Sequence, residues 1–305
     1  MRFPLSLFVF AAIAAVPVAC SSSDDPPPAQ AAPDGGSSSG GEGDGTTEED
    51  GGKVEPGPDG AAPVYVKETT ETFQVGNATR KYILGVPVDY DAGKKYPVYM
   101  FMHGNPGTAE GMVSAFPVDP VTKTEAIIVY PNASTENWEH TLSDNVDVVY
   151  LKALIDEVAA KVSIDKARIF LSGWSGGGFM ASQMACRYAS LFRAIGVYAG
   201  GAPYDPENGD PNYTPACAGA AIATIVVHGD ADGAVDVSSG EYAGQYWAEH
   251  NGCQGSQSAS TPSPCKTYDG CPADKPVKTC IVSGVGHPLW NKAHEAAWAW
   301  FKSLP

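Results

Sequence analysis

Short apolar runs alternate along the chain with longer stretches whose apolar positions recur every three or four residues. Residues 72–75 and 80–86 read as two opening strands, and 98–102, 126–130, 169–171, 194–198 and 222–227 as further strands. The last two are nearly continuous apolar runs, as expected where a strand is covered on both faces. Residues 146–162 carry Val146, Val149, Leu154, Ile155, Val158 and Val162 at helical spacing, and 179–188, 238–250 and 293–302 also suit helices. This alternation predicts an α/β fold, a doubly wound and mainly parallel sheet with helices on both faces.

Two segments fall outside that pattern. Residues 1–19 hold one basic side chain, Arg2, an apolar run over 5–18 and a small residue before Cys20. The run is too short to span a bilayer core of about 30 Å, so it reads as a secretory signal. Cys20 before three serines resembles the lipobox of bacterial lipoproteins, where the cysteine is lipidated, although Pro17 stands where leucine is usual. Residues 20–62 are Pro, Gly, Ser, Asp and Glu with almost nothing apolar, and such a segment cannot offset its ordering entropy by burial. It reads as a disordered acidic tether, leaving 63–305 as one folded domain. Attachment to a membrane is expected only through the lipid on Cys20, at an outer membrane or cell surface, with simple secretion as the alternative.

Composition narrows the class. The net charge is −16, and the tether, with ten acidic residues against Lys53, holds more than half of it. The remaining body is moderately acidic, which argues against nucleic-acid binding. Some 240 residues without a repeat fit one large domain, expected to be a monomer. Besides Cys20 there are six cysteines, Cys186, Cys217, Cys253, Cys265, Cys271 and Cys280. An even number in an exported chain suggests three disulfides, with fifteen possible pairings. The expected set is Cys186 with Cys217, the other four pairing among themselves. No C-x-x-C pair is present, so zinc is not expected, and no other metal or organic cofactor is implied.

The chemistry centres on residues 169–180, IFLSGWSGGGFM, where a β-forming run meets a glycine-bracketed serine and then a helix former. Gly173-Trp174-Ser175-Gly176-Gly177 reads G-x-S-x-G, the nucleophile elbow of α/β-hydrolases. Glycines two residues either side allow a serine to occupy a strained strand-to-helix turn with its hydroxyl clear of the backbone. The partners follow in the order this fold uses, acid then histidine. The strand over 222–227 ends in His228-Gly229-Asp230-Ala231-Asp232, and Val285-Gly286-His287-Pro288 lies in a later glycine-flanked loop. His287 would take the Ser175 proton and an aspartate would stabilise the imidazolium. Asp232 is favoured over Asp230, which sits in the tight turn off the strand and is better placed to bond backbone amides. His103 and His228, at strand ends before glycine, read as structural hydrogen-bonders. The oxyanion donors would be the amides of Gly176 and Asn105, the latter in His103-Gly104-Asn105-Pro106-Gly107; Pro106 has no N–H. Trp138, Trp174 and Trp290 are the aromatic residues expected to line a substrate cleft.

These residues carry a resemblance. MFMHGNPGT, IIVYP, the segment from DVVYLKALIDEV through IFLSGWSGGGFM to VYAGG, IVVHGDADGAVDV and YDGCPADKPVKTCIVSGVGHPLW are similar to the bacterial polyhydroxybutyrate depolymerase and feruloyl esterase family of secreted serine esterases, many of them lipoproteins. The match covers residues 97–302. It implies Ser175, Asp232 and His287 as the triad of an esterase that works through an acyl-enzyme. The implied substrates are feruloyl or acetyl esters of plant polysaccharide, or a polyhydroxybutyrate-type polyester. The family's Cys-Gly-Gly after His-Gly is replaced by Asn105-Pro106-Gly107, and its Trp-Pro after the histidine by Pro288-Leu289-Trp290. Both loops line the family's cleft, so its acyl preference does not carry over. The rival readings are a serine peptidase of the prolyl-oligopeptidase type, which usually brings a propeller not found here, and a non-catalytic surface-binding lipoprotein.

Overall fold

The structure is a computed structural model and describes residues 63–141, 144–204, 217 and 219–305. The expected signal segment, Cys20 and the tether lie outside the described residues. In chain order the elements are β1 (Val66–Val75), β2 (Ala78–Pro87), β3 (Tyr96–Met102), α1 (Ala109–Ala115), α2 (Asp119–Thr122), β4 (Ile127–Pro131), α3 (Val146–Lys161), β5 (Ile164–Trp174) and α4 (Gly176–Tyr188). There follow β6 (Ala194–Tyr198), β7 (Ala223–Gly229), α5 (Val237–His250), β8 (Gln257–Ala259), β9 (Lys266–Tyr268), β10 (Val277–Val282) and α6 (Ala293–Ser303).

The strands form one sheet in the order β1-β2-β4-β3-β5-β6-β7-β10-β9-β8. From β4 to β10 all neighbours are parallel, and the β1–β2 hairpin and the β8–β9 pair flank them antiparallel. The chain moves from β3 outward to β4 and then crosses to β5 on the other side of β3. The carboxyl ends of β3 and β5 therefore flank the switch point, where open α/β sheets hold their ligands.

Side-chain alternation explains the apolar runs. In β3, Val98, Met100 and Met102 face a core shared with α3, α4 and α5, while Tyr99 and Phe101 face a second core shared with α1 and α6. β4 and β6 divide the same way, so neither face leaves room for polar residues. The stripe of α3 differs from the expected one. Val148, Leu151, Leu154, Ile155 and Val158 are buried, whereas Val146 and Val149 are exposed. Asn145 caps this helix, its Oδ1 accepting from the amides of Asp147 and Val148.

The disulfides are Cys186–Cys217, Cys253–Cys271 and Cys265–Cys280. The last two close short loops around β8 and β9, each contributing on the order of 3 kcal/mol by restricting the unfolded chain. No helix of the described residues is long and apolar enough to cross a membrane.

Candidate active site

The turn from β5 into α4 is built by exclusion of side chains. A Cβ on Gly173 would stand 2.2 Å from the Gly177 carbonyl oxygen, and one on Gly177 2.5 Å from that of His103. Only glycine permits so tight a turn against β3. Ser175 is held inside it at φ 55°, ψ −120°, a conformation rare for a residue with a side chain. Its amide donates to the Tyr198 carbonyl at 2.8 Å, and its own carbonyl accepts the amides of Gly178 and Phe179. The Ser175 hydroxyl thus stands at the positive end of α4.

The expected partners converge on it. His287 Nε2 lies 3.0 Å from Ser175 Oγ, and His287 Nδ1 lies 2.8 Å from Asp232 Oδ2. Asp232 is buried, and its Oδ1 accepts the amides of Ala234 and Val235 at 2.8 and 2.9 Å. Burial pushes its carboxyl pKa up, but the hydrogen bond from His287 and those from the two amides outweigh this and leave it below the ordinary value. Asp232 therefore stays a carboxylate. Asp230 serves backbone instead: its Oδ1 accepts the Gly284 amide at 2.6 Å and ties the β7 turn to the loop that carries His287.

Two further histidines brace the site, as the strand-end positions suggested. His228 Nε2 donates to the Val235 carbonyl at 3.0 Å and sits 3.2 Å from Asp232 Oδ2, so the turn carrying the carboxylate is fastened from below. His103 Nε2 accepts the Ala133 amide at 3.1 Å, which leaves the proton on Nδ1 to be donated to the Gly104 carbonyl. Burial pushes the His103 imidazole below its usual pKa.

The two predicted oxyanion donors belong to segments in contact. A Cβ on Gly176 would lie 2.4 Å from Asn105 Cγ. Asn105 Oδ1 in turn accepts the Trp138 amide at 2.9 Å.

The tryptophans divide. Trp138 is 3 % exposed, stacks on His103 and donates its indole N–H to the His103 carbonyl at 2.8 Å. It packs beneath the His103–Gly107 loop, and the expectation that it lines the cleft is corrected. Trp174 is half-buried, donates to the His287 carbonyl at 2.9 Å and packs against the imidazole at 4.9 Å between centroids. Its ring fills the space a Cβ on Gly104 would need, so one side chain links the loop after β3 to the His287 loop. Trp290 is half-buried against the α1–α6 core.

Sequence reasoning missed the segment between β4 and α3. His140 Nε2 donates to the Gly176 carbonyl at 2.8 Å, and its ring packs with Phe179 and Tyr204. These three half-buried rings form an aromatic wall tied to Gly176 through His140. The segment is fixed by a buried ion pair, Arg80 to Asp147 at 2.6 Å. Asp147 also accepts the amides of Ser134 and Glu139, and Arg80 also donates to the carbonyls of Asn132 and Val146. No periodicity signals such a pair; the one available hint was an arginine inside an apolar strand. Among the described residues no three His, Cys, Asp or Glu side chains gather as a metal site requires.

Serine, imidazole and buried carboxylate thus stand in one hydrogen-bonded line. Residues 132–267 match the Phospholipase/Carboxylesterase family. A "Probable feruloyl esterase C" of Aspergillus terreus is 30 % identical over 256 residues, 77 % of this chain and 88 % of the relative. Feruloyl esterase C of Emericella nidulans is 28 % identical over 259 residues, 79 % and 90 % of the two chains. Among solved structures, an acetyl xylan esterase from Aspergillus awamori superposes with a TM-score of 0.63 at 19 % identity, over 77 % of this chain and 99 % of that one. The feruloyl esterase module from Clostridium thermocellum superposes with a TM-score of 0.57 at 14 % identity, over 83 % and 92 %. At those identities the two structures speak for the fold, and the curated relatives for the kinship: the chain belongs to the feruloyl esterase family of α/β-hydrolases and is a carboxylic ester hydrolase.

Proposed function

We propose that the protein is a serine esterase that cleaves acyl groups from a polysaccharide through an acyl-enzyme. The observation that carries this reading is the continuous relay of 3.0 and 2.8 Å from Ser175 through His287 to Asp232. Ser175 Oγ bonds to the acyl carbon while its proton passes to His287 Nε2. Asp232 stabilises the imidazolium, and the amides of Gly176 and Asn105 meet the oxyanion. Collapse of the tetrahedral intermediate breaks the acyl–oxygen bond, and the leaving alcohol takes the proton from His287. A water then gives its proton to His287 and attacks the acyl carbon, releasing the acid and restoring Ser175.

The wall of His140, Phe179 and Tyr204 beside Gly176 favours an aromatic acyl group of the ferulate kind. The names of the relatives point the same way, and one structural neighbour extends the choice to acetyl groups on xylan. A polyhydroxybutyrate-type polyester has no feature of the site in its favour beyond the shared triad. Three disulfides fit an oxidising compartment, and the reading includes export, a lipid on Cys20, a tether over 20–62 and a monomeric catalytic domain over 63–305.

Ser175→Ala, with its circular dichroism and melting unchanged, is expected to lower turnover of methyl ferulate and p-nitrophenyl acetate by at least about 10⁴-fold, and to abolish labelling by a fluorophosphonate. Unchanged turnover in that variant rejects the assignment.

A further inference from the structure

The edge of the sheet beyond α5 holds a second concavity. β8, β9 and β10 extend past the last helix on their face, and α5 approaches β10 so closely that a Cβ on Gly244 would lie 2.4 Å from Thr279 Cγ2. The uncovered face and the outer flank of α5 form an open groove of about 810 Å³. On the helix side it is lined by Ser238, Glu241, Tyr242 and Gln245, and on the sheet side chiefly by Gln257, Tyr268 and Ile281. Cross-strand register places Gln257 opposite Tyr268. Ser238 stands in the first turn of α5, shortly after the Asp232 turn, and Ile281 stands next to the last residue of β10, from which the chain enters the His287 loop. That end of the groove opens at the carboxyl edge of the sheet, which also carries Ser175.

The lining has a definite chemistry. Its charges are one carboxylate, Glu241, and one ammonium, Lys266, so it is not tuned to a polyanion. Tyr242 is 46 % exposed along this space, and Tyr268 lines it half-buried. The same space is lined by the planar amides of Gln245 and Gln257, whose Nε2 atoms donate to Glu249 Oε1 at 2.8 Å and Thr279 Oγ1 at 3.4 Å and keep a second N–H and a carbonyl oxygen for a ligand. A pyranose offers apolar C–H faces to stack on aromatic rings and hydroxyls that both donate and accept, so a lining of phenol rings and amides matches it. The sheet side is stapled by Cys253–Cys271 and Cys265–Cys280, which holds the groove open and lowers the entropy lost on binding.

We propose that this groove is a subsite for the sugar backbone of the ester-bearing polysaccharide, running from the catalytic edge down the flank between α5 and β9–β10. The inference rests on the polysaccharide esterase reading above and adds where the chain on either side of the scissile ester lies. Tyr242 and Gln245 stand on the exposed flank of the helix and touch none of the relay residues, so their truncation leaves the fold and the acyl chemistry in place.

The test compares wild type with the double variant Tyr242→Ala, Gln245→Ala on methyl ferulate, on acetylated xylan and on feruloylated arabinoxylan. The expected result is an unchanged kcat/KM for methyl ferulate and a rise in KM of about five- to tenfold for the polysaccharides with kcat within about twofold, the effect of losing one stacking ring and one hydrogen-bonding amide. Ester-free xylo-oligosaccharide titrated into the wild-type protein should shift the backbone amide resonances of residues 241–245 and 257, and should not do so in the variant. Equal KM values for the polysaccharides, or oligosaccharide shifts confined elsewhere, overturn the subsite while leaving the esterase intact. Turnover of methyl ferulate by a wild-type enzyme inert on every polysaccharide also overturns it. Failure on methyl ferulate and p-nitrophenyl acetate alike overturns the esterase reading itself.

Discussion

Two loops flank the Gly176 amide, and they are held in opposite ways. The turn between β5 and α4 is specified by its own residues: Gly173, Ser175 and Gly177 lie within five positions, and each glycine is required because backbone stands within 2.5 Å of where its Cβ would be. The segment between β4 and α3, which brings Trp138 behind the oxyanion loop and His140 onto the Gly176 carbonyl, has no such internal requirement. Its shape depends on Asp147 gathering the amides of Ser134 and Glu139 and pairing with Arg80, 67 residues away on β2. One wall is thus set by local sterics, and the other leans on a buried charge pair that reaches it from a distant strand.

The sharpest way to break that contrast is Gly177→Ala. The added methyl would meet the carbonyl oxygens of His103 and Met102 at 2.5 and 2.6 Å, so α4 must move away from β3. We expect a loss of soluble protein or, in what folds, a fall in turnover of at least about 100-fold, since a misplacement near 1 Å at the reacting atoms costs that much. Purified yield and methyl ferulate kinetics decide it. Turnover within threefold of wild type would show that the elbow is not locally specified.

Arg80→Ala is the corresponding test of the other wall. It leaves the Asp147 carboxylate buried and without its cation, at a cost of about 3–5 kcal/mol in a urea titration. Because the relay residues keep their own contacts, turnover per folded molecule should fall less than in Gly177→Ala, and hydrogen exchange should rise first at the amides of Ser134 and Glu139. A variant as stable as wild type would refute the anchoring role.

The smallest effect is reached by pH. Burial lowers the pKa of both His103 and His140 from the usual 6.5, more than the hydrogen bonds to the Gly104 and Gly176 carbonyls raise it. The unfolded chain therefore takes up these protons at a higher pH than the folded one, so stability is complete above about pH 6.5 and declines as acidification enters the window below it. Protonation of His103 Nε2 also removes the acceptor of the Ala133 amide. The β4–α3 segment should loosen before the elbow does, visible as earlier amide exchange at Ala133 than at Ser175. Simultaneous exchange at both would erase the distinction.

Much of the fold and most of the relay could be read without coordinates. The parallel strands announce themselves because burial on both faces demands apolar runs, and α4 and α5 because one flank of each must meet the sheet. Ser175, Asp232 and His287 were legible because each lies in a loop whose glycines mark a tight turn just past a strand end. Less visible were β8 and β9, three residues each and almost wholly polar, which become strands through pairing with β10 and the disulfides rather than through any pattern of their own. The stripe of α3 was misplaced because valines at its first turn can face solvent when the polar Asn145 cap and Asp147 turn inward to serve Arg80. Trp138 was misassigned for a related reason: an indole in a loop near a site may point into the cleft or beneath it, and only the position of the His103 carbonyl decides which.

By itself, then, the sequence determined what is local or periodic: the alternation of the central strands with the longer helices, the strained turn at Ser175, the succession of serine, acid and histidine, and the six cysteines available for pairing. Tertiary structure decided what depends on residues far apart meeting in space. It chose Asp232 rather than Asp230 to face the imidazole, because the β7 turn presents one carboxylate to His287 and commits the other to the Gly284 amide. It also set the Arg80–Asp147 anchor, the aromatic wall beside Gly176 and the groove past α5. A chain encodes backbone strain and burial one neighbourhood at a time, whereas ion pairs and clefts exist only once distant segments have packed.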